Sequence, residues 1–335
     1  MKYLFSLVFV ILTFSLSASL SAASEGFLPF HNPAPQWVKK GLVVVYALEG
    51  GSATGVNTPK ASGVYGKGYL INVVLDVYKQ KPYGLRIMLQ SSGYSTFFDM
   101  RLIDLSTSIF YLHAPSINRD IREKKSPPNC QLSGTVGKIF MNCFQNGLSS
   151  KFIVWYDPES GLVKNVVVSQ RSVGGNITQL RASYIKHFYT NLPDVANISR
   201  EVLKSHSYVL YSFTPMGKMP VGNINIRYKG RVGQVFHYQE TNSGYPVPVE
   251  KLGVVLSGPD YIHPAWLSQK VLLRVPEAGF EIVRAGRGSR GGILVRYVWQ
   301  GAVLAEQEFD PKTGLLLYQR VSLPGGFSME SELQN

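Results

Sequence analysis

The chain predicts a mainly β fold: two tandem antiparallel β-meander units of duplicated pattern, with a few short helices. Three observations predict it. Runs of β-branched and aromatic residues recur along the chain, each bounded by Gly, Pro, Asn or Ser. The last quarter alternates apolar and polar residues at period two. The turn Asp-Pro-x-(Ser/Thr)-Gly-Leu occurs twice, at 157–162 and 310–315, each time between apolar strands.

Residues 1–23 read as a signal peptide rather than as part of the fold. Lys2 is the positive start, Tyr3 to Leu16 the apolar stretch, and Ser21-Ala22-Ala23 the small-residue cleavage site. The apolar stretch falls short of the ~20 residues a spanning helix needs. Neither cysteine lies near the cleavage site, so no lipid anchor is expected there. The expected location is the periplasm, the cell surface or the medium.

The formal net charge is +13, from 34 Lys and Arg against 21 Asp and Glu, and only Lys2 of these lies in the leader. Such an excess favours an acidic partner, an anionic lipid or an acidic envelope component. Export makes nucleic acid the least fitting of the acidic partners. No later stretch is long enough for a membrane-spanning helix, and the oligomeric state is left open.

An extended segment, 24–40, precedes the first repeat unit, 41–190. Its strands are expected at 41–48, 69–78, 84–90, 151–156 and 162–170. A helical linker is expected over 191–206, with Pro193 at its start and Val195, Ile198 and Val202 on one face. The second unit, 207–335, ends in four short strands. In one of them Ile293, Val295, Tyr297 and Trp299 share a face. A short helix is expected to start at Pro264. The basic run 119–125 reads as a charged loop or helical turn.

The two units match in order. Tyr111-Leu-His-Ala-Pro aligns with Tyr261-Ile-His-Pro-Ala, and Phe144-Gln with Trp299-Gln. Val43 to Tyr46 resembles Tyr208 to Tyr211.

In the repeated turn every residue has a conformational role. Asp157 and Asp310 accept backbone N–H bonds, Pro158 and Pro311 preset φ, and Gly161 and Gly314 take the left-handed position. The acid is therefore a turn-former, not a repeated active site. Around it, the strand–turn–strand "VWYDPESGLVKNVVV" resembles a hairpin of the periplasmic lipoprotein-carrier (LolA/RseB-like) half-barrel superfamily. That resemblance implies a sheet wrapped around an apolar cavity for acyl chains. It covers about 15 residues in each unit and transfers no binding residues.

Cys130 and Cys143 flank "QLSGTVGKIFMN". A hairpin centred on Val136-Gly137 places them opposite each other, within reach of a disulfide. A loop of that length contributes about 3 kcal/mol.

The candidate ligand-binding residues are Tyr111, His113, Asp260, Tyr261, His263 and Trp266. Arg284, Arg287 and Arg290 in "RAGRGSRGG" are candidate anion contacts. No H-E-x-x-H, clustered ligand set or G-x-S-x-G frame is present, so neither metal nor cofactor is expected. Asn176 and Asn197 fit the glycosylation acceptor pattern. Three functions fit these residues: a non-enzymatic carrier of an apolar or amphiphilic ligand, an envelope interaction or assembly protein, and a hydrolase using Asp260 and His263.

Overall fold

The computed structural model describes residues 33–53, 64–92, 96–107, 110–126, 129–145, 148–171, 177–214, 217–243, 245–323 and 327–334. The leader, residues 24–32 and Asn176 lie outside the described residues.

Two antiparallel sheets account for most of the chain. The first contains β1 (Leu42–Ala53), β2 (Val64–Tyr78), β3 (Lys81–Ser91), β4 (Thr96–Asp104), β5 (Cys130–Thr135), β6 (Lys138–Gln145), β7 (Leu148–Tyr156), β8 (Val163–Arg171) and β9 (Ile177–Tyr189). Its order is β4-β3-β2-β1-β9-β8-β7-β6-β5.

The second begins with β10 (His206–Thr214), β11 (Gly217–Val232), β12 (Val235–Asn242), β13 (Tyr245–Val254), β14 (Ser257–Gly258) and β15 (Tyr261–Ile262). It continues with β16 (Val271–Val275), β17 (Phe280–Arg287), β18 (Ile293–Trp299), β19 (Ala302–Phe309), β20 (Leu316–Ser322) and β21 (Ser328–Leu333). The order here is β15-β14-β13-β12-β11-β10-β21-β20-β19-β18-β17-β16.

In both sheets the first strand lies beside the last, β1 on β9 and β10 on β21, so each meander starts and finishes in mid-sheet. The second sheet has three more strands than the first. Neither sheet closes into a barrel. The Cys130–Cys143 disulfide is present, with the two residues paired across the β5–β6 hairpin and their Cα atoms 4.1 Å apart.

The run "LVVVYAL" of β1 does not alternate, because both of its faces are buried. Leu42, Val44, Tyr46 and Leu48 enter a core belonging to the first sheet, while Val43 and Val45 enter a larger core built mostly by the second. Strands β2 and β3 divide likewise, with Ile71, Val73 and Ile87 in the larger core and Leu70, Val74 and Met88 in the smaller. The outer face of β1–β3 is therefore covered by the second unit, and the two sheets share one interior.

Two α-helices occur among the described residues, α1 (Ala114–Arg122) and α2 (Pro264–Leu267). Each has proline in its first turn, where a missing N–H costs nothing. The linker helix expected over 191–206 does not form. Only a 3₁₀ turn, Arg200–Leu203, follows the Ser199 cap. The carbonyls a helix would use are taken by side chains instead. Lys40 Nζ donates to Pro193 O (2.8 Å), His263 Nε2 to Asn197 O (2.9 Å) and Tyr238 Oη to Val202 O (3.2 Å). Leu192 and Val202 are buried in the larger core, with Val195 and Ile198 against it, so the apolar spacing belongs to a chain lying flat.

The two Asp-Pro turns have one geometry. Asp157 Oδ1 accepts from the N–H groups of Glu159 and Ser160 and from Ser160 Oγ, at 3.1, 2.8 and 2.8 Å. Asp310 Oδ1 accepts from Lys312 N, Thr313 N and Thr313 Oγ1, at 3.0, 2.7 and 2.8 Å. Each turn glycine then accepts from a residue just before a helix: Leu112 N–H donates to Gly161 O and Ile262 N–H to Gly314 O.

Gly314 has φ +77°, and a Cβ there would lie 2.1 Å from Ile262 O. Gly314→Ala is expected to lower the free energy of unfolding by clearly more than the 1–2 kcal/mol or so of left-handed strain alone. Gly301→Ala supplies the comparison, since Gly301 has φ +82° with nothing within 4 Å. Paired urea titrations measure the difference; equal losses would remove the steric part.

The turn acids also set an acid limit. The Ser160 backbone N–H and then its hydroxyl hold Asp157 below the usual carboxylate range. At Asp310 burial acts the other way, and the bonds from Thr313 and Lys312 outweigh it. A carboxylate depressed in the folded state stabilises above its unfolded pKa of about 4 and loses that contribution as pH falls through its folded value. Melting temperature should therefore fall below about pH 4, and Asp310→Asn should flatten that limb; an unchanged slope would contradict the assignment.

Candidate functional site

Asp260 sits with Pro259 in the two-residue turn between β14 and β15, where Ser257 pairs with Ile262 and Gly258 with Tyr261. Gly258 is required there, because a Cβ would lie 2.0 Å from the Tyr261 ring. The turn is buried, with Asp260 only 1% exposed. Its Oδ2 accepts from His206 Nδ1 at 2.7 Å and from Tyr208 Oη at 3.3 Å. Oδ1 has no hydrogen-bond partner among the described residues. Burial first, and then the Asp260 carboxylate, push the Tyr208 hydroxyl well above its usual range, so it remains a donor.

The first unit shows that the fold does not demand this polarity. Tyr46 Oη donates to Val163 O (2.8 Å) and reaches Phe110 O, as Tyr208 Oη reaches Leu316 O (3.2 Å). Val163 N–H bonds Phe110 O, and Leu316 N–H bonds Asp260 O. Tyr46 therefore corresponds to Tyr208, not to Tyr211 as the sequence match had it, a shift of three residues. With that register, Phe110 stands where Asp260 does and Val44 where His206 does. The buried acid–imidazole pair occurs in one unit at positions that are wholly apolar in the other.

Asp260 and Tyr261 line a cleft of about 330 Å³ between the two units. Strand β4 supplies one wall through Phe98, Met100 and Leu102, and the second sheet the other through Tyr297, Phe309 and Val321. Phe98 packs at 5.8 Å on the Tyr297 ring. Half-buried ion pairs add charge to the lining: Arg101 with Asp99 (2.9 Å) and Lys251 with Glu240 (3.5 Å). Gln307 Nε2 donates to Gln319 Oε1 at 3.0 Å, and Tyr297 Oη to Gln307. The lining is amphiphilic, and the volume falls at the low end for small-molecule sites.

The remaining candidates lie elsewhere. His113 and His263 are the N-cap residues of α1 and α2. His263 Nδ1 accepts from Ala265 N–H (3.1 Å), which leaves Nε2 protonated toward Asn197 O. His113 Nδ1 is 2.6 Å from Ser116 Oγ. Tyr111 is buried and bridges Leu162 as Tyr261 bridges Leu315. Trp266 is buried and donates to Leu272 O at 2.9 Å. A hydrolytic pair of Asp260 with His263 is not assembled: the imidazole beside Asp260 is His206, and both His263 nitrogens serve backbone groups.

The arginine loop is anchored from beneath. Buried Glu308 Oε1 accepts from Arg290 N–H and Gly292 N–H, both at 2.8 Å. Arg290 is paired with Glu332 (2.9 Å) and stacked on Tyr318 (4.3 Å), whereas Arg284 and Arg287 are exposed. His206 and Tyr208 were not legible as site residues, because they precede Asp260 by more than 50 positions.

No protein-family model matches the chain, and no curated protein matches it. Solved structures do. A protein of unknown function from the DUF3598 family of Nostoc punctiforme is 7% identical over 88% of this chain and 96% of its own, with TM-score 0.17. Isotype 1 transferrin binding protein B of serogroup B Neisseria meningitidis is 8% identical over 88% of this chain and 78% of its own, with TM-score 0.12. These are weak likenesses of β fold and carry no functional argument. The lipoprotein-carrier resemblance accordingly rests on its turn residues alone.

Proposed function

We propose that the chain is a non-enzymatic, exported β protein that holds an amphiphilic, lipid-like ligand in the cleft between its two units. The observation that carries this reading is the lining: aromatic and aliphatic side chains from both units with fixed polar groups among them. An apolar tail gains from burial against Phe98, Met100 and Phe309, while a polar head meets Arg101, Lys251 and the paired glutamines. The signal-like amino terminus supports an exported setting. The common strand order and the matched Asp-Pro turns support descent of both units from one duplicated unit, with the cleft formed where the copies meet.

The test is titration of a dansyl-labelled fatty acid into the purified chain and into Leu102→Trp, which fills the cleft. Saturable binding, weakened at least about tenfold by the substitution, is the expected result. Absence of saturable binding, or equal binding by a folded Leu102→Trp chain, would refute the reading.

A further inference from the structure

The half of the first sheet that lies away from the second unit carries an unassigned surface. Cross-strand pairing arranges its outer face in rows. Phe140 pairs with Ile153, Ile153 with Val167, and Val167 with Arg181. On one side lies the row of Lys138 and Trp155, and on the other Asn142 and Lys151. Beyond that, Phe144 and Arg171 flank Ser149. Residues directly opposite on neighbouring strands share a face, so these side chains form one surface. The inward residues between them, such as Ile139, Met141, Val154 and Val166, fill the smaller core. Phe140, Phe144, Ile153, Trp155 and Val167 belong to neither core.

Two properties mark this face. The first is charge: residues 130–189 contain six Lys and Arg, and their two acids, Asp157 and Glu159, both lie in the Asp-Pro turn. Lys138, Lys151 and Arg171 therefore stand on the β6–β8 part of this face without a carboxylate, while Arg181, at its margin, is paired across strands with Glu49 of β1. The second is exposed apolar area. Phe144 is 59% exposed, Phe140 40%, and Val136 at the hairpin tip 65%. Lys138 Nζ lies over both the Phe140 ring (4.8 Å) and the Trp155 ring (5.0 Å), so cation and aromatic surface are interleaved.

The geometry points to this face as a docking surface for an anionic lipid bilayer. A bilayer interface satisfies both properties at once. Its head groups attract the bases, at about 1 kcal/mol for each Lys or Arg near the surface, and its acyl boundary receives side chains that cannot hydrogen-bond. A soluble polyanion would meet the bases and leave the phenyl groups in water. The surface is separate from the cleft and does not depend on the cleft's ligand.

The experiment is co-sedimentation of the full chain with vesicles of phosphatidylcholine alone and of phosphatidylcholine mixed with phosphatidylglycerol. Binding is expected only to the anionic vesicles and should weaken with added salt. The pair Lys138→Glu with Lys151→Glu should lower affinity at least about tenfold, and Phe140→Ser with Phe144→Ser should lower it independently. Leu102→Trp should bind vesicles like the parent chain, which separates this surface from the cleft. Near-ultraviolet circular dichroism confirms that each variant is folded. Three results would overturn the proposal: no binding to anionic vesicles, equal binding to neutral ones, or full binding by either folded pair variant. Binding to a soluble acidic polysaccharide that outcompetes vesicles and ignores the phenylalanine substitutions would overturn it as well.

Discussion

Replacing Ile71 with lysine is expected to abolish cooperative folding of the whole chain, second unit included. Ile71 is fully buried in mid-β2, between Val45 of β1 and Ile87 of β3, and all three face the core that the second sheet builds. An ammonium group there has no acidic partner. The cost of an unpaired buried charge reaches several kcal/mol, a large share of the 5–15 kcal/mol or so that holds a domain together. Because the core is shared, the loss should not stay in the first sheet. Trp266 and Trp299 of the second unit report it by fluorescence, since both are buried in that core. Ile153→Lys is the comparison, on the half-buried outer face of β7, with an expected change within about 0.5 kcal/mol. A second unit that stays folded in Ile71→Lys would show that the units do not depend on one another.

Asp260→Ala is expected to cost about 2–6 kcal/mol, because two buried donors lose their acceptor at about 1–3 kcal/mol each. His206, whose side chain is only 9% exposed, and the fully buried Tyr208 hydroxyl would both lose their carboxylate. The first unit then supplies a sharper test. It uses Phe110 and Val44 at the corresponding positions, so the pair His206→Val with Asp260→Phe should regain most of the lost stability. Buried polar clusters replaced by well-fitted apolar groups are often neutral or better. Urea unfolding of the parent, Asp260→Ala and the double variant measures all three. If the double variant were as unstable as Asp260→Ala, the polar pair would be structurally required and the register between units would be in doubt.

How far the sequence speaks can be traced through particular residues. The alternation Val295, Tyr297, Trp299 marks a half-buried strand, and all three are buried in β18. The Asp-Pro turns and the Cys130–Cys143 pairing were legible for the same reason, because local geometry decides them. The segment 191–206 misled, since apolar residues at helical spacing also suit an extended chain pressed on a core. Whether such a chain coils depends on which distant side chains take its carbonyls, and Tyr238 and His263 do so here.

The site was legible in part. Asp260 and Tyr261 line the cleft, but their importance depends on His206, and Phe98 and Met100 come from the other unit. Only folding brings β4 over the second sheet. His113 and His263 stand at helix N-caps, a role that Pro115 and Pro264 in the first turn after them indicate.

The claim on which the functional account rests is that the cleft between Phe98 and Tyr297 holds an amphiphile. Native mass spectrometry of gently purified chain tests it most directly. The account predicts a second species, heavier by the mass of one extractable amphiphile, that is missing from the Leu102→Trp chain. A single bare mass, unchanged after incubation with excess fatty acid, would contradict it.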